Sequence, residues 1–591
     1  MSTPYTQQSS ASATSLLPSH STADLSRTGS LAGSSQGHGG ASSSGHANSL
    51  AEKYSLSPSP ATWGMPLLMG NPEPDDYLHN PDPRRDRKND RGGHIFTARG
   101  IANLGCLFVL AAGMMMLFAG YPLLSHFTEK KQTTQGGFNL GGTNATGQVP
   151  KIPGNYGLID LETPKEAYTK KSYMYPDEEL MLVFSDEFNT DNRSFYPGDD
   201  PYWEAVDLHY WGTDDLEWYD PGQATTYDGA LRLTLSKVRP ADNHNLTYRS
   251  GMIQSWNKFC FTGGILEASV TLPGSTQVSG LWPAVWAMGN LGRAGFGGSL
   301  EGLWPFSYDS CDVGTLPNQT YPGTATPEAA VINGDPQHGD VLSYLPGQRL
   351  SACTCAGESH PGPMRPDGSY VGRAAPEIDM FEATVADGIG EVSLSAQWAP
   401  YNAGYNWLNT TDNVAYNDGT THLNAYKGGA YQQTTSGLAV TNQNCYELGG
   451  TGCFATYAFE YKPGFDDAYI TWVNDGKQAW TLYSAGMGPD SKTEISARPI
   501  PLEPMYIIAN LGFSHNFGFI DFERIAFPAV MSIDWIRVYQ RKDSVNMNCD
   551  PKEYPTAEYI ETYKKIYTNP NITTWEQAEQ PWPKNRLKDK C

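Results

Sequence analysis

Three carboxylates, Glu377, Asp379 and Glu382, lie within six residues of one another. Acidic and apolar residues mix around them as they do in a strand with one polar face and one buried face. Because side chains two apart share a face of a strand, Glu377 and Asp379 are predicted to point the same way. A β-bulge around Met380 and Phe381 would bring Glu382 to that face as well. The pattern predicts three acids in a row, with Asp379 in the middle.

This arrangement suits glycoside hydrolysis. Crowded carboxylates raise one another's pKa, so one can stay protonated while its neighbour stays ionised. A retaining glycosidase places two carboxyl groups roughly 5 Å apart, one as nucleophile and one as acid/base. A short acidic pattern alone fits an exposed acidic strand or a cation site equally well, so the flanking segments decide its meaning.

The flanking segments resemble known families. The segment 377–382 resembles the bulged catalytic motif of glycoside hydrolase family 16, the laminarinase-like enzymes, and three further segments resemble strands of that family: 184–188, 281–286 and 533–539. Four more segments resemble the fungal β-glucan synthesis-associated proteins, a membrane-anchored branch needed for β-1,6-glucan in the cell wall: 292–297, 301–306, 308–314 and 351–355. The resemblance covers roughly residues 172–541.

The resemblance implies an all-β fold, a two-sheet jelly-roll sandwich with a glucan cleft on its concave face. It implies that Glu377 is the nucleophile, that Glu382 is the acid/base, and that Asp379 hydrogen-bonds Glu377 and sets its ionisation. The domain is expected over 172–541, with an insertion at 290–375.

Four other residues are candidate substrate-binding groups. Trp282 and Trp286 are predicted to share one side of a strand and line sugar subsites, although core filling explains each equally well. Trp398 is a weaker candidate on the next strand, where many relatives carry a histidine. Asn510 also matches a family strand, as a polar cleft group or a buried structural amide.

The sequence predicts β structure in the rest of the domain. Alternating apolar and polar residues at 230–236, 264–272 and 468–474 predict strands separated by turns, as in a sandwich or jelly roll. The insertion 290–375 is long, carries three cysteines, and is predicted to border the cleft and to be tied down by a disulfide. The tail 542–591 is predicted to hold a short helix within 557–567 that packs on the domain.

Cysteines and composition limit the remaining chemistry. Cys106 lies in an apolar segment, and the other eight of the nine cysteines predict disulfides in an oxidising compartment without specifying their pairing. No metal is predicted, because the Cys353-Thr354-Cys355 spacing is too short for a zinc knuckle. No cofactor is predicted either, because the sequence has no phosphate loop.

Charge excludes some partners. The chain carries a net charge of −23, while residues 1–100 are balanced with eight basic and eight acidic residues. The acidic remainder would repel nucleic acid, whereas a neutral glucan meets no such penalty.

The N-terminal part predicts a membrane anchor. Residues 104–124 hold 21 residues without a charge, which is enough to span a bilayer, and six basic residues precede them. The positive-inside rule places the N-terminus in the cytoplasm. Six N-glycosylation sequons follow the span, which places the domain in the lumen or outside the cell: Asn144, Asn192, Asn245, Asn318, Asn409 and Asn571.

Together these features predict a single-pass type II protein of the endoplasmic reticulum, Golgi or plasma membrane. Its parts are a disordered cytoplasmic tail (1–100), an anchor (101–127), a stalk (128–171), the domain and the C-terminal tail. The expected activity is that of a retaining β-glucan hydrolase or transglycosylase in fungal β-1,6-glucan biosynthesis, working near the cell wall synthesis machinery. The alternative is a non-catalytic glucan-binding or assembly factor on the same fold.

Overall fold

The structure is a computed structural model. It describes residues 157–591, residues 98–121 and 123–124, and the single residues Arg84, Arg87 and Phe96. The predicted tail and stalk lie mostly outside these residues, and the sequon at Asn144 lies entirely outside them.

The described domain is built mainly from strands. In chain order they are β1 (Thr169–Lys171), β2 (Glu179–Asp186), β3 (Glu204–Ala205), β4 (Leu208–His209), β5 (Glu217–Tyr219), β6 (Ala224–Tyr227), β7 (Ala230–Lys237), β8 (Tyr248–Ser250), β9 (Met252–Gln254), β10 (Gly264–Thr271), β11 (Trp282–Gly289), β12 (Glu377–Ala386), β13 (Ile389–Trp398), β14 (Val414–Tyr416), β15 (His422–Leu423), β16 (Gly428–Gly429), β17 (Gln432–Val440), β18 (Ala455–Lys462), β19 (Tyr469–Asn474), β20 (Lys477–Tyr483), β21 (Met505–Gly512) and β22 (Ala529–Gln540).

Helices are few among the described residues, and those within 157–591 are short. They are α1 (Ala98–Met115), which continues as a π-helical turn (Met116–Gly120), α2 (Gly297–Leu300), α3 (Ala557–Thr562) and α4 (Lys564–Thr568). The 3₁₀ turns are Lys165–Tyr168, Trp211–Thr213, Pro221–Gln223, Pro240–Asp242, Val313–Thr315, Pro317–Gln319, Glu328–Ala330, Pro336–His338, Ala403–Tyr405, Ser484–Met487 and Glu576–Ala578.

The strands form two sheets that pack face to face. The cleft sheet has the order β15-β17-β13-β12-β11-β21-β9-β3, and β16 pairs with β17. The outer sheet has the order β14-β20-β19-β18-β10-β22-β7-β8-β5-β4, with β2 on β22, β1 on β2 and β6 on β7. Side chains such as Phe381 and Leu394 from the first sheet and Phe459 and Ile536 from the second meet in one core. The predicted all-β jelly-roll sandwich is confirmed.

Alternation in the sequence explains which face each strand buries. In β7, Leu231, Leu233 and Leu235 are fully buried in the core, while the residues between them are half-buried. This period of two is the pattern that a strand needs to cover a core on one side only. The three segments predicted from it are β7, β10 and β19, so those predictions are confirmed.

A buried ion cluster holds the start of the domain. The Arg193 guanidinium donates to Asp186 Oδ1 at 2.7 Å and to Asp200 Oδ2 at 2.8 Å, and Trp203 Nε1 donates to Asp186 Oδ2 at 2.9 Å. All of these side chains are essentially inaccessible to solvent. Asp186 is therefore a structural residue.

We expect Arg193→Met to lower the free energy of unfolding by about 3–5 kcal/mol, because the change leaves two carboxylates buried without their cation. Denaturant unfolding followed by tryptophan fluorescence measures this. Arg239→Met is the matched control, because Arg239 pairs with Asp242 on the surface and such pairs contribute about 0–1 kcal/mol. Equal effects of the two changes would contradict the assignment.

Four disulfides confirm the disulfide prediction and decide the pairing. The pairs are Cys260–Cys549, Cys311–Cys353, Cys355–Cys591 and Cys445–Cys453. Two of them connect the C-terminal tail to the rest of the domain: Cys260–Cys549 joins it to the segment between β9 and β10, and Cys355–Cys591 joins it to the insertion. The predicted tail helix is confirmed as the pair α3 and α4, with Tyr559 and Tyr567 buried against the domain.

The boundary predicted between stalk and domain was too late in the chain. Residues 169–171 form β1 on the edge of β2. Further upstream, the Asp160 amide donates to Ser185 Oγ at 2.9 Å, and Thr163 Oγ1 donates to Glu187 at 2.9 Å. Polar contacts of this kind are not visible as sequence periodicity, so the sequence does not predict that residues 157–171 contact the domain.

The described helical segment near the N-terminus is mostly apolar. Ile101–Gly120 is a 20-residue helical stretch with a mean hydropathy of 2.2, long and apolar enough to cross a bilayer. Cys106 lies within it. In the domain, the sequon asparagines that the structure describes are exposed at the surface: Asn192, Asn245, Asn318, Asn409 and Asn571. Their glycosylation stays a prediction.

Candidate active site

The predicted bulge is present in β12. Asp379 lies opposite Ser395 and Glu382 lies opposite Ser393, so two residues of β12 are accommodated across one residue of β13. Those two residues, Met380 and Phe381, are fully buried in the core between the sheets. The bulge thereby turns Glu377, Asp379 and Glu382 toward the same face, as the sequence predicts.

Two tryptophans of the outer sheet support the bulge from the core side. Trp472 Nε1 donates to the main-chain carbonyl of Asp379 at 2.9 Å, and Trp480 Nε1 donates to that of Leu394 at 3.1 Å. The two rings stack on each other with centroids 4.3 Å apart. Buried carbonyls need donors where a strand ladder is interrupted, and these indoles supply them. No local sequence pattern predicts this role.

Glu377 is held by the insertion. Trp304 Nε1 donates to Glu377 Oε2 at 2.5 Å, and the neighbouring carboxyl of Asp379 is within hydrogen-bonding reach. Only 9% of Glu377 is exposed. Burial raises the pKa of Glu377 well above its usual range, and the charges of Asp379 and Glu382 add to this effect.

Glu382 lies at the other end of the trio. Trp282 Nε1 donates to Glu382 Oε1 at 3.0 Å, and Ser395 Oγ lies 3.5 Å from Oε2. Burial raises the pKa of Glu382 well above its usual range, and the charge of Asp379 raises it further. The carboxyl is therefore suited to carry a proton at neutral pH.

Asp379 links the two glutamates. Its Oδ2 accepts from Ser395 Oγ and from Gln397 Nε2, each at 2.9 Å. Burial raises the pKa of Asp379 to about 6, although these donors and Glu377 act in the opposite direction. Two ionised carboxylates cannot hydrogen-bond, so the contact between Asp379 and Glu377 requires a shared proton. The pKa of Glu377 is raised further than that of Asp379, so the shared proton lies on Glu377 in the free site, and Asp379 is the group that can take it up.

Three of the four predicted substrate-binding residues lie beside the acids on the cleft sheet. Trp286 is paired with Asp379 in the strand register, and its Nε1 donates to Asn510 Oδ1 at 2.8 Å. Trp282 contacts Glu382 and stacks on Phe517 with centroids 4.3 Å apart. One face of Trp282 is thus covered by protein, and its indole N–H orients an acid.

The prediction that Trp398 binds substrate was wrong. Trp398 is 1% exposed, lies in the core between the sheets, and donates to Thr435 Oγ1. Neighbouring residues of a strand face opposite ways, so Gln397, which contacts Asp379, takes the cleft position.

Other groups around the trio were missed. Trp304 comes from the insertion, 73 residues before Glu377, so the insertion reaches the acid trio. Tyr210 lies near Glu377, and Tyr426 lies near Glu382. Burial raises the pKa of both tyrosines, and the charge of the neighbouring glutamate raises each pKa further. Of these residues, only Trp304 could have been predicted from the sequence, because it is an aromatic residue in the segment 301–306, which resembles the β-glucan synthesis-associated proteins.

Among the residues that the structure describes, no cluster of three or more His, Cys, Asp or Glu side chains is arranged to hold a metal ion. The chemistry available at this site is that of carboxyl groups and of indole, hydroxyl and amide donors.

Comparison with known proteins agrees with the motifs. Residues 65–591 match the family model described as beta-glucan synthesis-associated protein SKN1/KRE6/Sbg1. The chain is 40% identical over 548 residues to beta-glucan synthesis-associated protein KRE6 of Saccharomyces cerevisiae, covering 89% of this chain and 70% of that protein. It is also 40% identical over 590 residues to SKN1 of the same yeast, covering 93% of this chain and 71% of that protein.

Among solved structures, the catalytic domain of an endo-1,3-beta-glucanase (laminarinase) from Thermotoga petrophila RKU-1 matches with a TM-score of 0.34 at 19% identity, covering 62% of this chain and 99% of that domain. The family match spans nearly all of the chain, and the yeast relatives are aligned over more than two thirds of their length. The chain therefore belongs to the beta-glucan synthesis-associated protein SKN1/KRE6/Sbg1 family.

Proposed function

We propose that this protein is a membrane-anchored retaining hydrolase or transglycosylase that acts on β-glucan in fungal β-1,6-glucan biosynthesis. The observation that carries the proposal is the acid trio on the bulged strand. Each outer glutamate of the trio accepts a hydrogen bond from a tryptophan N–H, Trp304 for Glu377 and Trp282 for Glu382. This assigns a separate environment to each of the two carboxyls that a retaining mechanism requires.

In the first half of the reaction, a carboxylate oxygen of Glu377 attacks the anomeric carbon of the bound glucan. The glycosidic bond breaks, and Glu382 gives its proton to the departing sugar oxygen. Asp379, held by Ser395 and Gln397, takes the proton that it shares with Glu377 once the glucan is bound, which leaves Glu377 ionised for attack.

In the second half, Glu382 is ionised and acts as a base. It takes a proton from water or from the hydroxyl of an acceptor sugar, whose oxygen displaces Glu377 from the anomeric carbon. Water gives hydrolysis, and an acceptor sugar gives a longer or branched glucan. Both outcomes use the same two glutamates.

The proposed location follows from the apolar helix and the sequons. Ile101–Gly120 would anchor the chain in a secretory membrane with the domain in the lumen or outside the cell. There the domain would meet β-glucan and the cell wall synthesis machinery.

A second candidate is a non-catalytic glucan-binding or assembly factor. One observation favours it: the three carboxyls are only 9%, 2% and 6% exposed. Phe517 also covers a face of Trp282. A site that is this enclosed limits access of a polymer to the acids.

The test is product analysis with the full-length protein and a Glu377→Gln variant. Each is incubated with β-1,3- and β-1,6-glucan oligosaccharides, and the products are resolved by mass. Longer or shorter chains that appear only when Glu377 is present support the enzyme, and their lengths separate transfer from hydrolysis. Equal oligosaccharide binding by both proteins without any product would favour the assembly factor.

We expect Asp379→Asn to shift the alkaline limb of the pH profile of kcat/KM to lower pH. Glu382 must be protonated to act as an acid, and its pKa is raised by burial and by the charge of Asp379. Removing that charge lowers the pKa of Glu382, so its proton is lost at a lower pH. An alkaline limb that stays in place or moves to higher pH would contradict this role.

A further inference from the structure

A second pair of carboxyls lies beside the cleft and takes no part in the mechanism above. Asp215 lies two residues before the start of β5 and Glu217 begins that strand, and both side chains are buried. Tyr210 lies near both acid groups, since the charges of Glu377 and Asp215 both help to raise its pKa after burial. A buried acid pair near an active site calls for a reason, because ionised carboxyls are costly to bury.

Asp215 ends a chain of hydrogen bonds that begins at the cleft floor. Trp286 Nε1 donates to Asn510 Oδ1 at 2.8 Å, Asn510 Nδ2 donates to the Tyr219 hydroxyl at 3.1 Å, and that hydroxyl donates to Asp215 Oδ2 at 3.1 Å. Thr213 Oγ1 also donates to Asp215, at 2.5 Å. Every donor in the chain points toward the carboxyl.

The carboxylate sets this direction. An ionised Asp215 only accepts, so the Tyr219 hydroxyl must donate to it and is left to accept from Asn510. Asn510 then presents its amide nitrogen to Tyr219 and its oxygen to Trp286, whose indole N–H only donates. If Asp215 were an amide, its NH₂ could donate to the tyrosine oxygen and the hydroxyl could then donate to the Asn510 oxygen. The Asn510 nitrogen would in that case face the Trp286 indole N–H, donor against donor, and the hydrogen bond between Trp286 and Asn510 would be lost.

Glu217 lies near Asp215 and titrates after it. Burial raises the pKa of Glu217 well above its usual range, and the charge of Asp215 raises it further, whereas the pKa of Asp215 is raised to about 6. Asp215 is therefore the carboxyl of the two that ionises first as the pH rises.

We propose that Asp215 is a positioning residue that, through Tyr219, orients Asn510 and Trp286 to bind one glucosyl ring of a β-glucan beside Glu377. The proposal rests on the glucan-binding part of the proposed function. In this subsite the sugar ring packs on the indole of Trp286, and a sugar hydroxyl accepts from the second amide hydrogen of Asn510. Among the described residues, that hydrogen has no protein acceptor.

The test measures binding rather than turnover, so it does not depend on catalysis. Full-length protein carrying Glu377→Gln is titrated with laminarihexaose and with gentiohexaose, alone and combined with Asp215→Asn or Tyr219→Phe. We expect each added change to weaken binding by about tenfold, the equivalent of roughly one hydrogen bond at 1.4 kcal/mol. The two changes together should weaken binding no further, because they break the same chain.

Glu217→Gln is the matched control, because it changes a buried carboxyl near Asp215 that is not a link of the hydrogen-bond chain. A second readout is the ¹⁵N-indole resonance of Trp286, assigned with Trp286→Phe. It should move in Asp215→Asn and in Tyr219→Phe but not in Glu217→Gln, and the thermal midpoint reports whether each variant is folded.

Unchanged binding in folded Asp215→Asn and Tyr219→Phe variants would overturn the proposal. An indole resonance of Trp286 that stays in place in these variants would also overturn it. So would a Glu217→Gln variant whose binding is as weak as that of the Asp215→Asn variant. Failure of catalysis is a separate result. A protein without turnover whose oligosaccharide binding falls in both variants supports this subsite while contradicting the enzymatic function. A protein that binds neither oligosaccharide contradicts both.

Discussion

Replacement of Glu377 by glutamine should lower kcat/KM for β-glucan oligosaccharides by at least about 10³-fold, which corresponds to roughly 4 kcal/mol of lost transition-state stabilisation. An amide keeps the shape of the side chain and its contact with Trp304, but it cannot form the glycosyl ester on which a retaining mechanism depends. Initial rates of reducing-end release or transfer, measured at several oligosaccharide concentrations, give kcat and KM separately. We expect the loss in kcat.

Stability provides the first control for this variant. The pKa of Glu377 is raised in the folded state, so ionisation of this carboxyl disfavours folding at pH values above its unfolded pKa, and this cost disappears as the pH falls. A neutral glutamine avoids the cost. The thermal midpoint of Glu377→Gln at neutral pH should therefore equal or exceed that of the unmodified protein, which separates lost chemistry from lost folding.

A matched change and a rescue experiment complete the test. Glu179→Gln alters an exposed strand glutamate and should leave kcat/KM unchanged. In Glu377→Ala, added azide should enter the space left by the side chain and produce a glycosyl azide of inverted anomeric configuration, because the anion then attacks in place of the nucleophile. Full activity of Glu377→Gln, or a rescued product of retained configuration, would contradict the assignment of Glu377 as nucleophile.

Replacement of Glu382 by glutamine should lower kcat for natural oligosaccharides by about 10²–10⁴-fold, the contribution typical of a positioned general acid. A sugar alkoxide is a poor leaving group, so breaking the glycosidic bond requires the proton that Glu382 carries. Glutamine retains a side chain that can contact Trp282 but has no proton to give. The comparison of two substrates therefore distinguishes a general acid from a residue that only supports the fold.

The second substrate is an aryl glycoside of the same oligosaccharide with an acidic phenol as the leaving group. Its glycosidic bond breaks without protonation, so Glu382→Gln should form the glycosyl-enzyme from it at nearly the unmodified rate and release the phenol as a burst. Azide should then accelerate turnover and give a glycosyl azide of retained configuration. Equal losses on both substrates would contradict the acid/base role.

The local part of the site was readable from the sequence. Alternation of period two places Glu377 and Asp379 on one face, and the two apolar residues that follow predict the bulge that returns Glu382 to it. The same alternation led to the wrong prediction for Trp398, because the residue on the face of the acids is Gln397, one position earlier. A strand exposes alternate residues, and the composition of 397–398 did not reveal which of the two faces the cleft. The register against β12 and β17 decides this, because it places Gln397 opposite Glu377 and Thr434.

The sequence by itself determined the acid trio, the sandwich and the existence of disulfides, because each depends on residues close together in the chain or on a simple period. Tertiary structure alone decided the cysteine pairing, the contact of Trp304 with Glu377, the support of the bulge by Trp472, and the chain from Trp286 to Asp215. These contacts join residues dozens to hundreds of positions apart. The direction of each hydrogen bond depends on which donors and acceptors come into contact when the two sheets, the insertion and the tail pack together. A local sequence pattern does not specify these contacts.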